Sequence, residues 1–216
     1  MTYTGDVRVG GPADTREIGG LTLTKIAVGP MNNNAYLLRD ATGQALLIDA
    51  AAEPARLLAM IGDTPVTKIV TTHRHADHWQ ALAEVKEATG AVTVAHPADA
   101  PGIPVPTDEL VEDGGTVSFG GTTLGVTLLV GHTPGSIALT LDDGGTGPHL
   151  FTGDCLFPGG PGATTRPEDF NSLFGGLQAK IFDRLPDSTW VYPGHGNDTT
   201  LGAERPHLEE WRERGW

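Results

Sequence analysis

The segment from His73 to His78 carries the densest group of metal-binding side chains in the sequence. The chain has 8 histidines in 216 residues, so six consecutive positions are expected to hold about 0.2 of one by chance. This segment holds three, together with Asp77. In extended backbone His73, His75 and Asp77 project to one side, and His78 is predicted to begin a helix that turns it toward a second point. Imidazole and carboxylate together favour zinc, iron or manganese.

Three later turns each present one more metal-binding side chain directly after an apolar strand. His132 lies in GHTPG at 131–135, Asp154 ends FTGD at 151–154, and His195 lies in YPGHG at 192–196. Glycine beside such a side chain permits close backbone approach and dihedral angles that other residues avoid, which suits a crowded metal site. A lone histidine is more often structural, so the inference depends on the whole set.

The elements that must position these residues alternate along the chain. Strands are predicted at 21–28, 35–39, 45–48, 66–70, 92–95, 117–119, 122–130, 137–141, 149–151 and 189–192, and helices at 53–61, 77–88, 170–185 and 203–214. The sequence shows no internal repeat and no break in composition that would mark a linker. We therefore expect sheets covered by helices, in one domain spanning residues 1–216.

The composition argues against several classes of protein. A net charge of −13, from 14 basic and 27 acidic side chains, repels phosphate backbones, so no nucleic-acid partner is expected. No apolar stretch approaches the roughly 20 residues that cross a bilayer, so no membrane association is expected. Residues 1–8 show no secretion signal, and the single cysteine, Cys155, fits a reducing compartment. These features predict a cytoplasmic protein that acts on a small molecule.

The combined pattern resembles the metallo-β-lactamase superfamily. The resemblance runs from about Asn34 to His195, and the glycine-bounded turns are most similar to the hydroxyacylglutathione hydrolase (glyoxalase II) branch and to persulfide dioxygenase. It implies an α/β fold, a four-layer αββα sandwich with metals at one end of the facing sheets. It also implies two divalent metal ions, with zinc expected and iron or manganese as alternatives. By the resemblance, the first ion is held by His73, His75 and His132, the second by Asp77, His78 and His195, and Asp154 bridges both.

The activity implied is that of a binuclear hydrolase in which a metal-bridging hydroxide attacks the substrate. Two divalent ions and two aspartates leave about two positive charges to acidify a water, and Asp77 and Asp154 take the catalytic roles. Long glyoxalase II enzymes add a basic C-terminal domain that binds glutathione, whereas here only residues 196–216 follow His195. The expected substrate is therefore a thioester of a small thiol, whose thiolate leaves with little help because thiols are fairly acidic.

Three alternatives stay open. A persulfide dioxygenase would use one iron at His73, His132 and Asp154, and all seven positions occur in both branches. A lactonase or β-lactamase is a further possibility, although a secreted β-lactamase would carry a signal peptide. A non-catalytic, metal-stabilised module is disfavoured because structural zinc sites usually close with four ligands.

Several other polar residues receive secondary predictions. Asp49, at the end of the strand 45–48, is expected to orient a ligand histidine, and Cys155 is expected to be a small buried side chain. Arg74 is expected to point away from the metals, with steering of an anionic substrate as the alternative. Structural or solvated roles are expected for His96, His149 and His207, and replacements for the missing basic anchors are sought at Arg166, Lys180 and Arg205.

Overall fold

Seven strands from the first half of the chain form one mixed sheet whose spatial order follows the sequence. The computed structural model describes residues 2–142, 144–145 and 147–215. The strands are β1 (Asp14–Ile18), β2 (Leu21–Val28), β3 (Asn33–Arg39), β4 (Ala45–Ile48), β5 (Val66–Val70), β6 (Val92–Ala95) and β7 (Glu109–Leu110). β1 to β4 pair antiparallel and β4 to β7 pair parallel. The parallel pairs need crossover connections, and helices α1 (Pro54–Ile61) and α2 (Leu82–Thr89) lie in the first two of them.

A second sheet of six strands comes from the other half of the chain, in the order β15-β14-β11-β10-β9-β8. Its strands are β8 (Thr116–Phe119), β9 (Thr122–Leu128), β10 (Ile137–Asp142), β11 (Pro148–Gly153), β14 (Trp190–Pro193) and β15 (Thr199–Thr200), and a separate ribbon joins β12 (Leu156–Phe157) to β13 (Gly160–Pro161). The helices of this half are α3 (Pro167–Gly176), α4 (Leu201–Glu204) and α5 (Leu208–Arg214). A π-helical stretch, Leu177–Phe182, extends α3.

Buried side chains define the order of the layers. One apolar cluster joins residues of both sheets, such as Leu38 and Phe151, so the sheets face each other. A second cluster packs α1 and α2 on the outer face of the first sheet, and a third packs α3 and α5 on the outer face of the second. All four residues of β4 are buried, because a central strand covered on both faces has no solvated side. The predicted four-layer αββα sandwich is confirmed.

The predicted elements differ from the structure mainly at short or interrupted segments. β1, β7, β12, β13 and β15 were not predicted, since they are two to five residues long and lack a clear apolar alternation. The predicted helix at 77–88 is wrong at its start, because Ala76–His78 forms a single 3-10 turn and α2 begins at Leu82. The predicted helix at 203–214 is interrupted by a 3-10 turn around Pro206, whose ring cannot donate a helical hydrogen bond.

Membrane spanning can be tested on the helices directly. Within the described residues, every helix is too short or too polar to cross a bilayer. The cytoplasmic location, the single domain and the small-molecule partner stay predictions.

Candidate metal centre

Three imidazoles meet where an end of the first sheet faces the second. His73 and His75 follow β5, and His132 lies in the turn between β9 and β10. His73 Nε2 lies 3.1 Å from His75 Nδ1 and 3.3 Å from His132 Nε2. Two nitrogens bonded to one tetrahedral zinc at the usual length lie about 3.3–3.4 Å apart. This group, the first cluster, therefore has the spacing of a shared cation.

A second cluster lies beside the first and consists of Asp77, His78 and His195. Asp77 Oδ2 lies 3.3 Å from His195 Nε2 and 3.5 Å from His78 Nε2, and the two Nε2 atoms are 3.3 Å apart. The prediction that Asp77 projects with His73 and His75 is wrong, because the 3-10 turn Ala76–His78 ends the extended backbone. That turn rotates Asp77 and His78 together toward the second sheet.

Asp154 lies between the two clusters. Its Oδ2 is 3.6 Å from His132 Nε2 and 3.3 Å from His195 Nε2, and its Oδ1 is 3.3 Å from His78 Nε2. Burial opposes ionisation of this carboxyl, but the neighbouring His195 and His78 outweigh it and hold its pKa well below the usual range. One carboxylate thus faces both clusters, in the position that the resemblance implied for a bridging ligand.

The outer ring nitrogens show which atoms face inward. Nδ1 of His78 lies 2.8 Å from Asp49 Oδ2, Nδ1 of His132 lies 2.7 Å from Ala163 O, and Nδ1 of His195 lies 2.9 Å from Met31 O. A neutral imidazole that donates from Nδ1 leaves Nε2 as an acceptor. His73 is similar, with Nδ1 3.1 Å from Thr72 Oγ1.

The donor set fits a divalent cation. Facing acceptors at about 3.3 Å repel each other unless a cation or proton lies between them. Asp154 Oδ1 is buried and makes no hydrogen bond within the described part of the chain, and such an atom in a native protein requires a partner. The ligand atoms form three groups of three that share members, and within each group the atoms lie within 4.8 Å of one another. These clusters and the fold support binding of divalent metal ions.

Asp49 connects β4 to both the metal loop and a ligand ring. It accepts hydrogen bonds from the Thr72 backbone N and from Thr72 Oγ1 and contacts His78 Nδ1, each at 2.8 Å. The prediction that Asp49 orients a ligand histidine is consistent with this contact. Burial opposes protonation of His78, but Asp49 and Asp154 outweigh it and raise the pKa of His78 to about 10. A metal ion and a proton therefore compete for His78 Nε2.

Two residues that the sequence analysis missed hold the clusters in place. Asn33 donates from Nδ2 to Asp77 Oδ2 at 2.8 Å. Asp99 is fully buried and accepts hydrogen bonds from the Arg74 and Gly135 backbone N atoms and from Thr133 Oγ1. It thereby ties the metal loop of the first sheet to the turn that carries His132. Neither has the glycine-bounded turn that identified the ligands, so the sequence offered no signal.

Gly194 has to be glycine for steric reasons. A Cβ atom at this position would lie 2.1 Å from Asp154 Oδ1 and 2.7 Å from His78 Cε1. Its backbone N donates to Gly153 O, and its O accepts from Asn34 N. The backbone before His195 thus packs directly against the ligands of both sheets.

A buried ion pair fixes the loop that follows His195. Lys25 and Asp198 lie 2.7 Å apart, with side chains 0% and 1% exposed. Lys25 Nζ also donates to Gly196 O at 2.8 Å, and Tyr3 Oη and Trp190 Nε1 donate to Asp198. A strand of the first sheet therefore holds the loop of the second sheet that carries a ligand.

The remaining histidines and the cysteine lie outside the clusters. His96 Nδ1 accepts from Ala98 N, His149 Nδ1 lies 2.9 Å from Tyr192 Oη, and His207 is exposed beside Glu210. Cys155 is fully buried, and burial raises the pKa of its thiol. The structural or solvated roles predicted for these residues agree with the structure.

Fold and site together define a class of protein. The family model of the metallo-beta-lactamase superfamily matches residues 28–195, a range that includes all seven predicted ligands. The chain belongs to the metallo-beta-lactamase superfamily.

Individual relatives indicate which branch of the superfamily the chain resembles. An uncharacterized protein of Mycobacterium tuberculosis (strain H37Rv) is 32% identical over 228 residues, covering 88% of this chain and 98% of that protein. A hydroxyacylglutathione hydrolase of Polaromonas sp. is 36% identical over 167 residues, covering 76% of this chain and 62% of that enzyme. The crystal structure of TTHA1623 in a di-iron-bound form matches with a TM-score of 0.70 and 32% identity, covering 84% of this chain and 96% of that one. These similarities support a glyoxalase II-like branch within the superfamily.

Proposed function

We propose that the protein is a binuclear metal-dependent hydrolase that cleaves thioesters of small thiols. The observation that carries the proposal is the position of Asp154 between two clusters of inward-facing nitrogen and oxygen atoms. His73, His75 and His132 would hold one divalent ion, and Asp77, His78 and His195 a second. When bound, such ions polarise a carbonyl and lower the pKa of a water to near 7.

The chain's own residues set up the reaction around that chemistry. Asp154 and Asp77 offset part of the positive charge, and Asn33 holds the Asp77 carboxylate in one orientation. Asp49 holds the proton on Nδ1 of His78, so that Nε2 keeps its lone pair for an ion. Five imidazoles supply ligands without adding negative charge, which leaves the site net positive toward a developing oxyanion.

Thioesters are favoured over other acyl substrates by two features. The first is the likeness to a hydroxyacylglutathione hydrolase, of which the chain covers 62%. The second is the set of non-ligand side chains that hydrogen-bond the ligand side chains within the described residues, Asn33, Asp49 and Thr72, of which only Asp49 is an acid, and it is already bonded to His78 and Thr72. A thiolate leaves without a strong acid because thiols are fairly acidic, whereas an alkoxide or amine needs one.

Metal analysis combined with a substrate panel tests the proposal. Protein purified without chelator should contain close to two equivalents of metal per chain and should hydrolyse several small-thiol thioesters. If small-thiol thioesters are the preferred substrates, S-lactoylglutathione should show a higher KM with a kcat similar to the other thioesters. Removal of metal by a chelator should abolish turnover, and re-addition of zinc should restore it. Two bound metals without any thioester turnover would exclude this substrate class.

A mononuclear iron dioxygenase acting on persulfides is the second candidate. His73, His132 and Asp154 form a two-histidine, one-carboxylate group, with His73 and His132 Nε2 3.3 Å apart and Asp154 Oδ2 3.6 Å from His132 Nε2. Such groups with open positions hold ferrous iron in oxygenases. One equivalent of iron, with oxygen uptake on addition of a persulfide, would favour this candidate over the hydrolase.

A further inference from the structure

A polar groove of about 340 Å³ opens directly beside the first cluster. Its lining includes His132, Arg74, Thr165, Arg166 and Asp169. The turn after β9 forms one wall, the segment before α3 forms another, and the metal loop contributes Arg74. A substrate bound at the clusters would have part of its length within this groove.

Arg74 is held in place from several sides. Its backbone N donates to Asp99 Oδ2 at 3.0 Å, and its backbone O accepts from Trp79 Nε1 at 2.8 Å. Its aliphatic stem packs so closely on Gly102 that a Cβ there would lie 3.0 Å from Arg74 Cδ. The side chain is still 45% exposed. The prediction that Arg74 points away from the metals is therefore incomplete, because the side chain lines the groove next to His132.

Arg166 enters the same groove from the second half of the chain. Its Nε and Nη2 donate to Asp169 at 3.0 and 2.9 Å. This contact fixes the plane of the guanidinium, and Nη1 makes no hydrogen bond within the described residues. Fixing an arginine in this way reduces the entropy that it loses when it binds a ligand.

The other basic residues proposed from the sequence are engaged elsewhere. Lys180 contacts Asp113 and Leu128 O, and Arg205 contacts Asp187 and two backbone carbonyls. Arg74 and Arg166 are also paired, Arg74 Nε lying 3.9 Å from Asp99 Oδ1 and Arg166 contacting Asp169, but their side chains are 45% and 68% exposed and each guanidinium has N–H donors beyond those pairs. The groove is therefore lined by two exposed arginines in a chain that has 14 basic and 27 acidic side chains.

We propose that this groove binds a carboxylate group of the substrate through Arg74 and Arg166. The inference rests on the proposed function in that it names the class of thioester the site prefers, one that carries a free carboxylate. Guanidinium groups bind carboxylates through paired, charge-assisted hydrogen bonds. Arg74 and Arg166 are thus specificity-determining residues, and neither takes part in breaking the bond.

Calorimetric binding of two unreactive thioethers tests the groove without any turnover. S-propyl-N-acetylcysteine and S-propyl-N-acetylcysteamine differ by one carboxylate and contain no thioester. The metal-loaded protein should bind the carboxylate compound about tenfold more tightly, and added salt should reduce the difference. The double variant R74Q/R166Q should bind both alike, whereas R8Q, a change of an arginine 84% exposed outside the groove, should keep the preference. Equal binding of both compounds, or no measurable binding of either, would overturn the proposal, as would a preference that survives in R74Q/R166Q.

Thioester kinetics separate this proposal from the hydrolase itself. S-acetyl-N-acetylcysteine should show a KM about tenfold below that of S-acetyl-N-acetylcysteamine at similar kcat, and R74Q/R166Q should remove the difference in KM only. Equal KM values with good turnover would overturn the groove and leave the hydrolase intact. Carboxylate-dependent binding without turnover of either ester would support the groove and exclude thioester hydrolysis.

Discussion

The two sheets supply the predicted metal ligands in different ways. The first sheet contributes His73, His75, Asp77 and His78 from one continuous loop after β5. The second contributes His132, Asp154 and His195 from three separate turns. A continuous loop keeps its ligands close through chain connectivity, whereas separate turns have to be brought together by packing.

Glycine and buried anchors perform this alignment in the second sheet. Gly194 leaves room for Asp154 and His78, Asp99 fastens the His132 turn to the metal loop, and Lys25 fastens the loop after His195. The metal loop of the first sheet is held as well, by Asp49, Asn33 and Asp99, but its four ligands are already close together in the sequence. The comparison indicates that the metal centre depends on sheet-to-sheet contacts as much as on the ligands.

The largest effect is expected from Asp154→Ala, because the Asp154 carboxylate lies between the two clusters. Metal content should fall from near two equivalents toward zero, and thioester turnover should fall by more than about 10²-fold, the upper end for loss of an outer-shell partner. Asp77→Ala should remove only the metal of the second cluster. Elemental analysis with steady-state kinetics measures both quantities. His207→Ala, at an exposed position, is the control, and equal behaviour of His207→Ala and Asp154→Ala would contradict the ligand assignment.

Loss of a sheet-to-sheet anchor should lower the stability of the fold. Lys25→Met leaves Asp198 buried without its cation, so the free energy of unfolding should drop by about 3–5 kcal/mol. The matched control is Lys68→Met, which breaks a partly exposed pair with Glu109 and should cost at most about 1 kcal/mol. Urea denaturation of metal-free protein measures both, since bound metal would add its own stabilisation. A similar loss in the two variants would show that burial of the Lys25 pair is unimportant.

The two carboxylate anchors should differ in which metal they affect. Asp49→Asn removes a direct contact with His78 and should weaken the second metal about 10- to 100-fold. Asp99 contacts backbone N atoms, Thr133 and the Arg74 guanidinium but no ligand side chain, so Asp99→Asn should weaken the first metal by less. Stepwise metal titration of the chelator-treated variants gives the two affinities. A larger loss of metal affinity in Asp99→Asn than in Asp49→Asn would show that the turn carrying His132 depends more on its carboxylate anchor than the His78 ring does.

The smallest effect is expected at the opposite end of the sandwich, where Asp40 joins the sheets. It accepts from Gly121 N at 2.6 Å and from Thr42 N at 2.9 Å. Partial burial raises the pKa of Asp40, but hydrogen bonds from Thr42, Gly121 and Gln44 outweigh it and lower the pKa below its ordinary value. Its stabilisation is therefore complete above the unfolded pKa of about 3.9 and is lost as pH falls through the lower folded pKa.

Asp40→Asn should accordingly lower the free energy of unfolding by about 1 kcal/mol at neutral pH. Below about pH 4 the stability of this variant should fall less steeply with pH than that of the unchanged protein. Chemical denaturation of both proteins between pH 3 and 7 measures this difference. Parallel pH profiles for Asp40→Asn and the unchanged protein would show that the carboxylate at this joint does not contribute to acid unfolding.

The sequence by itself determined which side chains meet in the two clusters. The HxHxDH pattern and the three glycine-bounded turns identified all seven side chains, because such spacing is improbable without a shared function. The central strands were predictable because their apolar runs are bounded by turn residues, and the αββα layering followed from the resemblance to the metallo-β-lactamase superfamily.

Only the tertiary structure decided how the backbone brings the ligands to their clusters and what holds them there. The 3-10 turn Ala76–His78 turns Asp77 into the second cluster, where the resemblance had placed it, against the prediction from extended backbone. Asn33, Asp99, Lys25 and the groove beside His132 became visible only after the sheets were packed, because their partners lie far away in the sequence. Local spacing fixes the direction of neighbouring side chains, but contacts between distant segments depend on register and layer packing, which no single stretch of sequence encodes.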